Sequence, residues 1–378
     1  MVDFTGKLAL SPMVRSGELP TRLMALKYGA DLVWGPEIVD RKVMTCKRVH
    51  NEELNTVDFI SDDGKVAFRT QREQEKGKLI FQIGSSDPDF AVQGSKVVAE
   101  DVDGIDLNCG CPKSFSTHSG MGAGLLSNPD LLTNILKRLV QDVGSVYNIP
   151  ISAKIRLLDN EKPEPTVLLI DQICKTGISN LTVHCRTKVM RNRDAPLRSF
   201  LPELIKCTRM NNVSFIINGA IQNRREYELM KKTFGEDVGC MIAESAECNP
   251  SVFSDIPLTW NKVVPEFINL AAKYDNHPSN TKYIVLNQIP GKSPFYQKFC
   301  RTKSYDEFIQ LAGSIDEEGN KIMMKYLQKN VLISPDEFDR YEYHNHGKRS
   351  FSTDLQQLHK SSHNDSSLKK QKPLELSA

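Results

Sequence analysis

The sequence predicts an α/β fold, a (β/α)8 or TIM barrel followed by a C-terminal all-helical domain. Three observations carry this. Eight short runs rich in Ile, Leu and Val recur between residues 7 and 245. Most lack alternation, as strands buried on both faces of a parallel sheet require. Helical periodicity fills most of the gaps between them, and beyond residue 257 only helical patterns remain. A doubly wound open sheet is the competing arrangement, but eight units in one uninterrupted run of about 250 residues favour closure.

The first strand lies in "KLALSPM" (7–13). A helix follows in "LPTRLMALKYG", with Leu19, Leu23 and Leu26 three to four apart and Gly29 as a stop signal. The second strand is "DLVWGPEI" (31–38). In the long gap after it, "TVDFISDDGKVAFRT" (56–70) reads as a hairpin turning at Asp63-Gly64, inserted at one end of the barrel. Strands three to five are "KLIFQIGS" (78–85), "GIDLNCG" (104–110) and "PISAKIRL" (150–157). Strands six to eight are "NLTVHCR" (180–186), "SFIINGAI" (214–221) and "GCMIAES" (239–245). After the fourth strand, "NPDLLTNILKRLVQDVG" offers Asn128 as N-cap, Pro129 at the first helical position, and Leu132, Ile135, Leu136 and Leu139 on one face. "IQNRREYELMKKTFG" carries two lysines in its last turns, favourable against the helix dipole. The chain therefore divides into a barrel (1–256), a helical domain (257–342) and a polar tail (343–378) too poor in apolar residues to fold.

A net charge of +2 neither demands nor excludes nucleic acid, because a basic face can be balanced elsewhere. Residues 262–303 hold seven Lys or Arg against two acids, so such a face is available in the helical domain. "MVDFTGKLALSPM" lacks the basic and apolar regions of a secretory signal. No run approaches the ~20 apolar residues of a membrane span. The nine cysteines are odd in number and scattered from Cys46 to Cys300, unlike a disulfide framework. The expected compartment is reducing: the cytoplasm, with the nucleus left open. His344, His346, His359 and His363 have no cysteine or carboxylate pattern to complete a site, so no metal is expected.

Barrel active sites sit at the C-terminal ends of the strands. Those ends read Pro12 and Met13, Glu37, Gln82, Asn108 and Cys111, Lys154 and Arg156, His184 and Arg186, Asn218 and Gly219, Ala243 and Glu244. A lysine in a buried strand is costly unless it meets an anion, which assigns Lys154 to a ligand or to catalysis. The small residues ending strands seven and eight let backbone N–H groups approach a phosphate. Residue chemistry alone leaves Cys109 and Cys111 of "NCGCP" open to metal, disulfide, catalysis or packing, although a structural zinc site would need a second ligand pair.

In order and strand placement, "SPM", "FQIG", "DLNCGCP" with "SGMGAGLL", "AKIR", "VHCR" and "NGAI" resemble the tRNA-dihydrouridine synthase family. "SPMVRSGELPTRLMALKYGADLVWGPEIVD" looks most like its eukaryotic branch acting on uridine 20 of the D-loop. The resemblance implies reduction of the uracil C5–C6 bond, with FMN as cofactor and NADPH or NADH as reductant. It implies Pro12, Met13 and Val14 against the isoalloxazine ring, Gln82 at its polar edge and Lys154 near N1. His184 would take the phosphate or ribityl side. Asn218, Gly219, Ala220, Ala243 and Glu244 would cradle the phosphate. Many members carry Arg at the position of Glu244; a carboxylate repels phosphate, so the expected contact there is the backbone. Cys111 matches the family's proton donor to C5, a role that suits a thiol, largely protonated at neutral pH. Asn108 matches a residue orienting base and flavin, and Cys109 is assigned to packing.

A uracil in folded tRNA must leave its stack to reach a barrel rim. The cations expected to hold the RNA are Arg15, Arg186, Lys188, Arg191 and Arg193, with Lys282, Lys292, Lys298, Arg301 and Lys303 of the helical domain. Lys369, Lys370 and Lys372 of the tail would add a small contribution. One alternative is an FMN barrel oxidoreductase of a small molecule, resembling dihydroorotate dehydrogenase; "NCGCP" and the basic helical appendage speak against it. Another is a catalytically idle RNA-binding protein, against which Cys111, Lys154 and His184 speak.

Overall fold

The computed structural model describes residues 2–315 of the chain. Eight parallel staves close a barrel: β1 (Leu8–Leu10), β2 (Leu32–Trp34) with its short continuation β3 (Ile38–Val39), β7 (Leu79–Gly84), β8 (Gly104–Cys109), β9 (Ile151–Leu157), β10 (Asn180–Thr187), β11 (Ser214–Asn218) and β12 (Gly239–Ile242). The hydrogen-bonded order is β2-β1-β12-β11-β10-β9-β8-β7, and β2 pairs back onto β7 to close the ring. The closed barrel, not the open sheet, is the arrangement formed.

Alternation sorts the strand residues. Leu8, Leu10, Ile105, Leu107, Cys109 and Ile155 join the large core shared with the surrounding helices. Ala9, Leu32, Trp34, Ile80, Ile216 and Met241 form a separate cluster that, with Phe4, fills the barrel interior. Polar residues of the same inward rows then stack above this plug, which is how the strands place the site.

Between β3 and β7 lies a three-stranded antiparallel sheet, β4 (Lys47–Asn51), β5 (Thr56–Ile60) and β6 (Val66–Thr70). The expected hairpin is its second and third strands. β4 carries one apolar residue in "KRVHN" and is exposed along nearly its whole length, so no hydrophobic pattern announces it. The insertion is tied down by buried charge. Arg22 of the first helix (Leu19–Lys27) is fully buried; its Nε donates to Glu75 Oε1 at 2.6 Å, Nη1 to the Gly17 carbonyl at 2.7 Å and Nη2 to the Arg69 carbonyl at 2.6 Å. Arg69 in turn holds Asp58 at 2.6 Å and donates to the Tyr274 carbonyl.

Among the described residues four helices follow the barrel: Trp260–Lys273, Pro278–Gln288, Pro294–Arg301 and Tyr305–Gly313. Proline opens the second and third, with the Ser293 hydroxyl capping the third. Their core of Val263, Phe267, Ile284, Phe299 and Phe308 also contains Met24 of the first barrel helix, so the helical domain shares apolar packing with the barrel. The expectations for residues 316–342 and for the tail with its histidines and lysines lie outside the described residues.

Candidate active site

Register brings the polar rows together. Asp106 faces Gln82 on one side and Ser152 on the other. It is fully buried; its Oδ2 accepts from Gln82 Nε2 at 2.8 Å and its Oδ1 from Ser152 Oγ at 2.6 Å. Burial pushes its carboxyl up to about 6, while those hydrogen bonds and the charge of Lys154 pull the other way.

In the next row Asn108 stands opposite Lys154. Lys154 Nζ donates to Asn218 Oδ1 at 2.9 Å, and Asn218 Nδ2 to the Met241 carbonyl at 3.0 Å. Burial, reinforced by the nearby Arg156, lowers the lysine to about 8. Lys154 makes no salt bridge among the described residues, so a buried cation faces the mouth without a carboxylate at contact distance. Arg156 Nε holds the Gly110 carbonyl at 2.8 Å and Nη1 the Thr187 carbonyl at 3.1 Å, joining the loop after β8 to the end of β10.

Cys111 is half-buried on that loop. Asn108 Oδ1 accepts from the N–H groups of Gly110 at 3.0 Å and Cys111 at 3.2 Å, and the Cys111 carbonyl accepts from the Ala123 N–H at 2.9 Å. The closure depends on Gly122, whose φ is +56° and where a Cβ would lie 2.4 Å from Ser116 Oγ and 2.7 Å from the Cys111 carbonyl oxygen. Gly122→Ala is expected to displace Cys111 and lower kcat by on the order of 10²-fold with substrate affinity retained, as single-turnover and binding assays would show. Cys109 points the other way, into the core between strand and helices, and burial pushes its thiol well above the ordinary range. Both residues are free thiols, and no metal-ligating cluster occurs among the described residues.

On the opposite side His184 Nε2 lies 3.0 Å from Arg186 Nη1; arginine only donates, so this nitrogen is the acceptor. The ring packs on Gly219, where φ is +112° and a Cβ would come within 3.0 Å of His184 Cδ2. Ala220 is also left-handed, at +54°. Arg198 steadies this turn by donating to the Gly219 carbonyl at 3.1 Å and the Ala220 carbonyl at 3.2 Å. Ala243 leads into the short helix Glu244–Cys248, and Glu244 Oε2 accepts from Asn192 Nδ2 at 3.3 Å, drawing the carboxylate toward the loop after β10. A buried lysine with no carboxylate at contact distance, a close backbone turn and a thiol on one rim fit an anionic cofactor.

Pro12 and Met13 are half-buried at the end of β1, and Val14 is exposed. Arg15 is left-handed at φ +72°, stacks 4.0 Å over the Tyr283 ring and accepts at its carbonyl from Asn280. Glu247 completes this contact between barrel and helical domain, accepting from Ser16 Oγ at 2.6 Å, Tyr283 OH at 2.9 Å and Asn287 Nδ2 at 3.1 Å. A cavity of about 760 Å³ opens here, lined by Met13, Arg191, Arg193, Glu244, Tyr283 and Asn287 among others.

Not every expected RNA contact faces outward. Arg186 is buried, its Nε on the Asp194 carbonyl at 2.7 Å and Nη2 on the Asn192 carbonyl at 3.1 Å, so it folds the rim loop. Lys282 caps the helix Pro294–Arg301 through the Thr302 carbonyl at 2.7 Å. Lys188, Arg191, Arg193, Lys298, Arg301 and Lys303 are exposed. Two site residues were given no role from sequence, one of them (Glu37) although named at its strand end. Glu37 has Oε1 buried with no donor among the described residues and presses on Gly84; burial raises its carboxyl, against the pull of Asn108 and Lys113. Asp106 was signalled by the same logic as Lys154: a charge inside an apolar strand.

The fold and this rim define a (β/α)8-barrel enzyme with an anion-receptive mouth beside a thiol. The chain belongs to the dihydrouridine synthase (Dus) family, whose profile matches residues 9–323. It is 47% identical over 334 residues to the NAD(P)+-linked tRNA-dihydrouridine(20) synthase of Saccharomyces cerevisiae, covering 85% of this chain and 86% of that one. It is 48% identical over 294 residues to the Schizosaccharomyces pombe protein of the same name, covering 76% of this chain and 60% of that one. A human tRNA-dihydrouridine(20a/20b) synthase-like protein is 29% identical over 279 residues, covering 74% of this chain and 78% of that one.

Proposed function

We propose that this chain reduces the C5–C6 double bond of uridine 20 in tRNA, using FMN recharged by NADPH or NADH. The observation that carries it is Cys111, anchored by Asn108 and the Arg156-held loop, on the same rim as the unpaired cation of Lys154. A bound FMN would supply the hydride for C6. Pro12, Met13 and Val14 would wall its ring, and Gln82 would meet its polar edge. Lys154 would offset negative charge on it. His184, Asn218, Gly219, Ala220, Ala243 and Glu244 would hold the phosphate side, the last through its backbone. Cys111 gives its proton to C5, and the thiolate so formed lies in the field of Arg156 and Lys154. The reading carries with it a cytoplasmic or nuclear site of action, where free thiols persist.

The test is direct. NADPH-reduced protein should be reoxidised by tRNA and not by free uridine or orotate. tRNA from cells lacking the protein should lose dihydrouridine at position 20; its retention there would sink the assignment, and oxidation by orotate would favour the small-molecule alternative.

RNA binding is assigned to Arg15, to Arg191 and Arg193 at the mouth, and to Lys298 and Arg301 with Lys303 on the helical domain. Lys298 already lies 4.9 Å from the Phe295 ring centroid, which limits its freedom. Replacing Lys298, Arg301 and Lys303 together by Gln should weaken tRNA binding and reduce the log–log salt slope by roughly 2, as three phosphate contacts to single-stranded RNA imply. Affinities measured at several salt concentrations would show it; an unaltered slope would remove this patch from the interface.

A further inference from the structure

Asp106 is a buried carboxylate that no step above uses. It sits in the barrel, hydrogen-bonded on both oxygens, one row beneath Asn108 and Lys154. We propose that Asp106 is a positioning residue for the cofactor: it locks the Gln82 amide with Nε2 against the carboxylate and Oε1 offered to the mouth, so that the site selects a ring edge bearing an N–H donor.

The argument is one of hydrogen-bond polarity. Both Asp106 oxygens accept, one from Ser152 Oγ and the other from Gln82 Nε2 at 2.8 Å, so the Gln82 arm facing the carboxylate is its NH2 group. Ser152 Oγ occupies the other carboxylate oxygen at 2.6 Å and denies Asp106 a swing. Gln82 is itself buried on β7 directly opposite Asp106, and its Oε1 receives no donor among the described residues. An amide oxygen at the mouth that no protein group donates to is free to accept from a ligand. The pyrimidine edge of a flavin presents carbonyl, N–H, carbonyl in sequence. Oε1 matches the central N–H, whereas an amide turned the other way would present its donors there. The inference rests on the cofactor reading above and deepens it, naming the device that fixes the edge recognised.

Binding of FMN and of 3-methyl-FMN, in which a methyl replaces that N–H, distinguishes the cases. Apoprotein should bind FMN about tenfold or more tightly than the methyl analogue, by flavin fluorescence quenching. Asp106→Asn presents an amide that can donate or accept, so the preference should collapse toward unity, with circular dichroism unchanged. In a Gln82→Leu background Asp106→Asn should change the ratio no further. Ser152→Ala, which removes the second anchor, should narrow the ratio part of the way and serves as the independent variant if Asp106→Asn does not fold. An undiminished ratio in Asp106→Asn or Ser152→Ala, or an equal effect without Gln82, would overturn the proposal while leaving the function intact. Failure of the wild-type protein to bind FMN would overturn both.

Discussion

Replacing Cys111 by alanine is expected to slow dihydrouridine formation by roughly 10²- to 10⁴-fold, the range a positioned acid contributes. The loss should fall on the tRNA half of the reaction. Reduction of a bound flavin by NADPH or NADH would need no proton at C5, so that half-reaction should keep its wild-type rate. tRNA affinity should hold as well, because Asn108, Arg156 and Ala123 fix the loop through backbone groups of Gly110 and Cys111 and not through the thiol. Cys109→Ala is the matched control. That side chain is fully buried in the outer core, so its removal should cost about 1 kcal/mol of stability with near-normal turnover. Quantifying dihydrouridine in tRNA after add-back of each variant separates the two residues. Full rescue by Cys111→Ala, or equal loss in Cys109→Ala, would overturn the assignment of the acid.

The family resemblance told the two cysteines apart, since residues two apart share a strand face and their chemistry alone left both open. Runs such as "KLIFQIGS" and "GIDLNCG" announce buried parallel strands, and a strand that ends at Cys109 sends Cys109 outward and leaves Cys111 on the rim. Lys154 was legible for a related reason, since charge in an apolar run is conspicuous. Asp106 was equally conspicuous; what sequence could not give was its partner, because Gln82 and Ser152 meet it only through register across three strands. The contact between barrel and helical domain was invisible for want of any local signal. Arg15 and Asn280 are 265 positions apart, and Arg15 finds the Tyr283 ring only once the helices have docked. "HCRTKVMRNRD" shows the converse limit: it announces a basic loop, but only the fold reveals that Arg186 turns inward while Arg191 and Arg193 stay exposed. β4 lacked a pattern because it covers the sheet with little apolar side-chain area of its own.

The largest effect on stability is expected at Arg22. Arg22→Met should destabilise the protein by roughly 3–5 kcal/mol, the cost of leaving one partner of a buried ion pair behind. Neither side chain of the Arg22–Glu75 pair has any exposure, so no water can replace the missing partner without opening the packing. The loss extends beyond the pair. The Gly17 and Arg69 carbonyls would each lose a donor, and Glu75 would keep only Thr70 Oγ1 at 2.8 Å and the Gln71 N–H at 3.0 Å for its Oε2. Arg22 lies on the helix that also lends Met24 to the helical core, and Arg69 reaches the end of the first C-terminal helix at Tyr274. One substitution therefore loosens the insertion, the first helix and the helical domain together. The urea midpoint should fall, and native-state hydrogen exchange should rise in residues 56–75 and around Tyr274 before the barrel strands respond. Arg22→Met combined with Glu75→Leu removes the stranded charge and should recover part of the stability, since apolar packing often substitutes for a buried pair. A loss below about 1 kcal/mol in Arg22→Met, within the range of ordinary exposed pairs, would show that this pair does not join the three elements.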